Sequence, residues 1–497
     1  MKNLSWCLGL LGLVSGCGIW AVGPDYEEPK ISMIEDQALP DAGFPTTNKT
    51  ETGEFKAATG SEDPRLVVTT NTLERWWKQF NDPMLSSLVE AAITNNISFQ
   101  MAQERLLQAR WQLVGSAADF FPKISLDGSY ERTGAHKNTS SRASSGRSYH
   151  GNHFNSGFDA SWEIDIFGGT RRTYESAEAL MGAAELSLVD ARVSLTAEIG
   201  RQYISLRTVQ SRLAVARTNL KIQSETYDIL KSRLDSGIGD ELAVNQAKYN
   251  VEQTRATIPN LISSEEALMN AIAILSGTMP GALHSMLCDL PKRDWLVSPQ
   301  RLEGIPLDVM RNRPDVRVAE RKLASQVANV GIAKSLFYPK FYINGSFGLD
   351  SVKASKFFNR DSFLASIGPS FSWPIFQGGN LLANLKIEES KMSEAALNYE
   401  LVLLKAYEET RNAYSSYTQE YHKYQSLQGA VDAARAAVDI SNDLYKNGLR
   451  DFNNVLDAQR SLLVLEESLA ISRGEISLYL IALYKALGGG MANVEIF

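Results

Sequence analysis

Few residues of this 497-residue chain are equipped for chemistry: it has five histidines and three cysteines, and none falls into a catalytic pattern. No P-loop occurs, Gly237-Ile238-Gly239 lacks the rest of a dinucleotide motif, and there is neither a His-Glu-x-x-His pair nor a nucleophile elbow. His136, His150 and His153 lie in or beside one Ser-rich stretch. Without placed carboxylates or thiols to complete a metal shell, they read as solvated loop histidines. The chain is therefore read as no enzyme, with no metal and no cofactor. Its formal net charge of −7 argues against nucleic acid as a partner.

The thiol with a chemical task is Cys17. Before it come Lys2, the apolar run from Leu8 to Val14 and the small residues Ser15 and Gly16, the order of an export signal. Val14-Ser15-Gly16-Cys17 looks like a bacterial lipoprotein box, where small residues admit the signal peptidase and the acylated Cys becomes the new N-terminus. Residues 1–16 are thus expected to be removed and Cys17 to carry a covalent lipid. Gly18, rather than Asp, follows Cys17, and resemblance to known lipoproteins then implies sorting to the outer membrane. Cys288 is left without a disulfide partner and is expected to be a small buried side chain.

The elements that place the remaining polar groups occur twice. Phe121-Pro122-Lys123-Ile124-Ser125-Leu126-Asp127-Gly128-Ser129-Tyr130 returns as Tyr338-Pro339-Lys340-Phe341-Tyr342-Ile343-Asn344-Gly345-Ser346-Phe347. Ser161-Trp162-Glu163-Ile164-Asp165-Ile166-Phe167-Gly168-Gly169 returns as Ser372-Trp373-Pro374-Ile375-Phe376-Gln377-Gly378-Gly379. Each copy predicts a hairpin of alternating residues, at 123–167 and 340–376. Ile124, Leu126, Tyr130, Phe158 and Trp162 share one face, and Ser125, Asp127, Asp159 and Ser161 the other; Phe341, Ile343 and Phe347 oppose Asn344, Ser346 and Asp350 in the second copy. Strands of about ten residues with one apolar and one polar face suit a bilayer-spanning β-barrel. No run of 18 apolar residues follows the first two dozen positions, so a membrane crossing must use strands. Four strands cannot close a barrel, and an open edge in lipid leaves backbone groups unpaired. Oligomerisation is required, and a dimer with eight strands or a trimer with twelve would satisfy it.

After each Gly-Gly stop the sequence predicts a very long helix, at 170–236 capped by Thr170 and at 380–447 capped by Asn380. Each would be about 100 Å long at 1.5 Å per residue. Half-length helices are predicted at 241–275 and 451–487, a first helical region from Asp82 to Phe120, and a further helix at 306–337. The ordered body is expected from 76, with a first repeat at 76–290, a second at 291–490, a lipid-anchored extended tether at 17–75 and a tail at 491–497. Gly237 and Gly448 mark the two turns between long and short helices and are read as conformational necessities.

These residues resemble the outer-membrane efflux protein family, the TolC-like ducts, and within it the NodT-type lipoprotein branch that serves resistance-nodulation-division pumps. The resemblance covers nearly the whole chain. It rests on the lipoprotein box, Val22-Gly23-Pro24-Asp25-Tyr26, Trp76-Trp77-Lys78-Gln79-Phe80-Asn81-Asp82-Pro83, Arg311-Asn312-Arg313-Pro314-Asp315-Val316-Arg317, Leu456-Asp457-Ala458-Gln459-Arg460-Ser461-Leu462 and Tyr484-Lys485-Ala486-Leu487-Gly488-Gly489-Gly490. It implies a mixed fold: a duplicated unit giving a homotrimeric outer-membrane β-barrel, four strands per chain, continuous with a long periplasmic α-helical barrel.

The resemblance further implies a passive exit duct for small molecules, closed at its periplasmic tip, with a periplasmic adaptor and an inner-membrane proton-driven pump as partners. In that branch a carboxylate and a residue one helical turn before it form the constriction. These match Asp457 and Asn453, although Leu is the commoner residue at the second position. Spacing of four puts them on one helix face, and the bland alternative pairs Asp457 with Arg460. Tyr445 and Arg450 match possible tip contacts. Two other readings stay open: the duct of an ATP-driven protein-secretion system, and a non-conducting, lipid-anchored structural or adhesive protein.

Overall fold

The computed structural model describes residues 21–27, 65–66, 73–135, 149–288, 301–302, 310–447 and 449–490. Cys17, Gly448, His136, the expected signal segment and the tail at 491–497 lie outside the described residues. The chain divides into two compact units, and neither is one sequence copy. One comprises Met1–Lys30, Arg105–Ala184 and Val318–Tyr399; the other comprises Ile31–Glu104, Glu185–Arg317 and Glu400–Phe497.

The first unit contains the sheet. Strands β1 (Lys123–Ala135), β2 (Tyr149–Ile164), β3 (Lys340–Ser351) and β4 (Phe363–Ser372) run in the order β1-β2-β3-β4, and all pairs are antiparallel. The two copies join directly, with Phe158 of β2 opposite Phe347 of β3. Register fixes the faces, because a one-residue slip would move every side chain to the other side. Leu126, Phe158, Phe347 and Ala365 form one cross-strand row, and Ser125, Asp159, Ser346 and Ser366 the adjacent row of opposite parity.

The helices follow in both units: α1 (Pro83–Asn95), α2 (Ile97–Ala118), α3 (Gly169–Asp235), α4 (Glu241–Leu275), the single turn α5 (His284–Leu287), α6 (Pro314–Ser335), α7 (Asn380–Lys446) and α8 (Phe452–Ala486). The long helices α3 and α7 each have 67 residues, and α4 and α8 each have 35. Each pair starts 211 residues apart, 380 less 169 and 452 less 241, so one offset relates the copies through these four helices. No helix among the described residues is long and apolar enough to cross a membrane.

Several local expectations are corrected. Thr170 does not cap α3: the helix starts at Gly169, and the Asp165 carboxylate accepts from the Arg171 amide at 2.8 Å. Asn380 is the first residue of α7, and its Oδ1 accepts from Asn384 Nδ2 instead of a backbone amide. The first helical region is two helices. Asn96 leaves helical geometry, caps α2 by accepting from Phe99 N at 2.9 Å, and donates to the Leu275 carbonyl. The helix expected at 306–337 is broken: Met310 and Arg311 are helical, Asn312 and Arg313 leave the helix, and α6 begins at Pro314, where a missing N–H costs nothing in the first turn; residues 306–309 lie outside the described residues. Cys288 is exposed, not buried.

The core of the second unit is built on Trp76, which is fully buried. It stacks on Tyr484 with ring centroids 5.8 Å apart and meets Trp77 and Phe80 edge-on. Gly200 of α3 makes room for it, since a Cβ there would fall 2.5 Å from the indole. Asp82 caps α1 at the Met84 amide and also accepts from the Tyr203 hydroxyl.

Candidate functional site

In the sheet, two faces of opposite character sit on one backbone. Ile124, Leu126, Ile367 and Phe371 point from the apolar face with at least 65% of their surface exposed. Such a row is unfavourable in water and fits hydrocarbon. Trp162 Nε1 donates to the Phe120 carbonyl and Trp373 Nε1 to the Phe337 carbonyl, so equivalent indoles anchor the same end of each hairpin. The other face is cross-linked by polar side chains. Ser161 donates to Asn344 at 2.9 Å, Asn344 to Ser370 at 2.8 Å, and Ser346 and Ser366 are 2.7 Å apart. His150 and His153, expected to be solvated loop histidines, lie instead in strand β2, and His153 binds the Asp350 carboxylate at 3.0 Å. Among the described residues β1 and β4 each pair on one side alone.

The two helix turns lie in the second unit. Gly237 adopts φ +75°, a left-handed conformation that ends α3. Asp240 then caps α4, accepting from Leu242 N at 3.0 Å. Its counterpart Asp451, under the offset of 211, precedes α8 without a side-chain cap. Tyr445 is half-buried and reaches across the hairpins: its hydroxyl accepts from Arg233 at 3.0 Å, and its ring contacts Phe452 at 5.1 Å. Arg450 is exposed at the turn. The cation that Tyr445 engages is therefore Arg233 of α3, which the sequence reading did not single out.

In the first turns of α8, Phe452, Val455 and Leu456 are buried against Leu230, Ala243 and Ala247. Asn453 and Asp457 occupy the opposite, exposed side, one turn apart. The pairing of Asp457 with Arg460 is stretched to 3.9 Å, and the Asp457 side chain is 77% exposed. Arg460 instead donates to Asn250 Oδ1 at 3.0 Å, leaving the carboxylate available.

The remaining motifs act as pins. Arg313 is buried, holds Asp315 and Glu409, and donates to the Ala486 carbonyl at 2.8 Å, which ties the end of α8 to α7. Tyr484 reaches Gln79. In the first unit Arg172 binds Asp25 at 2.7 Å, and Tyr26 donates to Glu320. These arginines lay inside or beside quoted motifs, but spacing alone gave them no partners.

A family model described as outer membrane efflux protein matches residues 88–277 and 306–489. This chain is a member of that family. It is 30% identical over 478 residues to nodulation protein T of Rhizobium leguminosarum bv. trifolii, covering 96% of this chain and 95% of that protein. It is 28% identical to the solvent efflux pump outer membrane protein SrpC of Pseudomonas putida, over 99% of both chains. Among solved structures, the outer-membrane channel OprN superposes with a TM-score of 0.81 at 32% identity, covering 95% of this chain and 99% of that one.

This efflux protein thus has the TolC-like fold and belongs to the outer membrane. The strand sheet and the paired long helices are the family's elements, each made twice from one chain.

Proposed function

We propose that three copies of this efflux protein close a twelve-stranded barrel in the outer membrane and a helical tunnel in the periplasm, conducting small molecules passively to the outside. The observation that carries this reading is the four-stranded sheet, with an exposed apolar face, a hydrogen-bonded polar face and two edges awaiting strands. A sheet of this kind needs lipid on one side and water on the other. The similarity to an efflux-pump component supports a pump partner in the inner membrane and a periplasmic adaptor, while the energy comes from the pump. Specificity for substrate then lies in the pump.

At the tip, Asp457 and Asn453 of three chains form the constriction, with carboxylates converging around the threefold axis. Tyr445, held by Arg233, and the exposed Arg450 brace the turns below it. Cys17 carries a lipid that anchors the N-terminus in the same membrane. Palmitate incorporation that falls to background in Cys17→Ser supports the anchor, and equal labelling of both proteins removes it.

The function is tested with purified protein in planar bilayers. Wild type should show small, discrete conductance steps, and Asp457→Ala should raise the closed-state conductance severalfold. Conductance equal in both would reject the constriction. No steps in either protein would favour a non-conducting structural role.

A further inference from the structure

The offset of 211 residues makes these helices comparable position by position, and among the many differences between α8 and its counterpart α4 one turn changes the sign of the charge. Glu466 and Glu467 stand where α4 has Arg255 and Ala256. Arg255 pairs within its own helix, with Glu252 at 2.5 Å. The two glutamates of α8 instead reach two other helices. Glu466 accepts from Arg435 of α7 at 2.8 Å and from Asn219 of α3 at 3.0 Å. Glu467 accepts from Arg212 of α3, with Nε at 3.0 Å.

Arg212 and Asn219 are two turns apart on α3, so one turn of α8 is held at two heights of α3 and also on α7. Asn219 is buried, and the Glu466 carboxylate is largely so. Burial thus favours the hydrogen bond from Asn219 to Glu466, while the ion pair to Arg435, whose side chain is 58% exposed, stays open to screening by salt. The counterparts of Arg212, Asn219 and Arg435 are Lys423, Ala430 and Ser224. Lys423 pairs within α7, with Glu420 at 2.9 Å, so the first copy has no equivalent network.

Position along α8 gives the network a role. The C-terminal end of the helix is pinned by Arg313 and by the Trp76–Tyr484 stack. Asp457 lies nine residues before Glu466, about 14 Å along the axis. We propose that Glu466 and Glu467 form a mid-helix latch: closed, it holds α8 against α3 and α7 so that Asp457 stays at the constriction, and opening of the duct requires its release. This deepens the reading of a gated duct and rests on it.

The test uses full-length protein in planar bilayers at 0.1 M KCl. The near-isosteric double variant Glu466→Gln/Glu467→Gln should raise the closed-state conductance at least threefold. Glu466→Arg alone should do the same, and adding Arg435→Glu should bring it back to within twofold of wild type. A double variant that conducts like wild type while Asp457→Ala conducts more would overturn the latch and leave the channel standing. A charge swap no better than Glu466→Arg alone would also overturn it. Absence of conductance in wild type and every variant would overturn the duct itself, and the latch with it.

Discussion

Asp190 of α3 lies near the Arg313 pin, and its surroundings disfavour its charge. Burial raises its pKa above the ordinary carboxyl value; Asp315 and, more weakly, Glu409 push the same way, while Lys485 and Arg313 oppose them. A folded-state pKa above the unfolded one means that the native protein holds the proton more tightly. The associated stability is present in acid and is lost as the pH rises through the folded value. Asp190 therefore supports the unit around it less at neutral pH than in acid. Asp190→Asn should raise the melting temperature at pH 7.5 and leave it unchanged at pH 3, where both side chains are neutral. A variant that melts lower at pH 7.5 would show that the carboxylate is favourably bound there. Much at this scale was hidden from the sequence. Arg172, Arg233 and Arg313 are ordinary arginines in a linear reading, because their partners lie 96 to 212 residues away or in short turns. Cys288 was misjudged for a related reason: its residue type favours burial, yet at the end of a one-turn helix the chain leaves it on the surface.

Elements were far more legible than partners. Alternation of residue types placed all four strands, since period two is visible within ten residues and the apolar and polar sets differ so strongly. The Gly-Gly stops located the starts of α3 and α7 to within a residue. What failed were caps and breaks: the local choice between Asp165 and Thr170 at the start of α3 is not visible in residue type, and the break at Asn96 also rests on the distant Leu275 carbonyl. The tip residues Asn453 and Asp457 came from a family pattern, and the structure adds that they share the exposed side of α8. The apolar strand face also carries a prediction. Ile367 is 84% exposed and sits in the row with Ile124, Ala160 and Gly345. If that row faces lipid, Ile367→Lys should destabilise the membrane-folded protein by about 2–4 kcal/mol, read as a lower urea midpoint for refolding into vesicles. Ser366→Lys, one residue away on the polar face, should change it by far less. Equal losses would mean that the faces are not divided between lipid and water.

At the scale of the whole molecule, duplication explains why one chain supplies so much of a wall and still cannot complete it. The copies share one offset through four helices, yet differ where charge matters: Asp457 against Gln246, Glu466 against Arg255, and Asp240, which caps its helix, against Asp451, which does not. The second copy thus holds both the expected constriction and the network behind it. The central claim is that β1 of one chain pairs with β4 of the next until three chains close the ring. Cysteines at Ser129 in β1 and Leu364 in β4, in a Cys288→Ser background, joined by a bismaleimide of about 10 Å reach in outer membranes, test it directly. The account predicts a ladder of monomer, dimer and trimer that stops at three, with neither single-cysteine variant forming it. A ladder ending at two, or no edge-to-edge product, would contradict it.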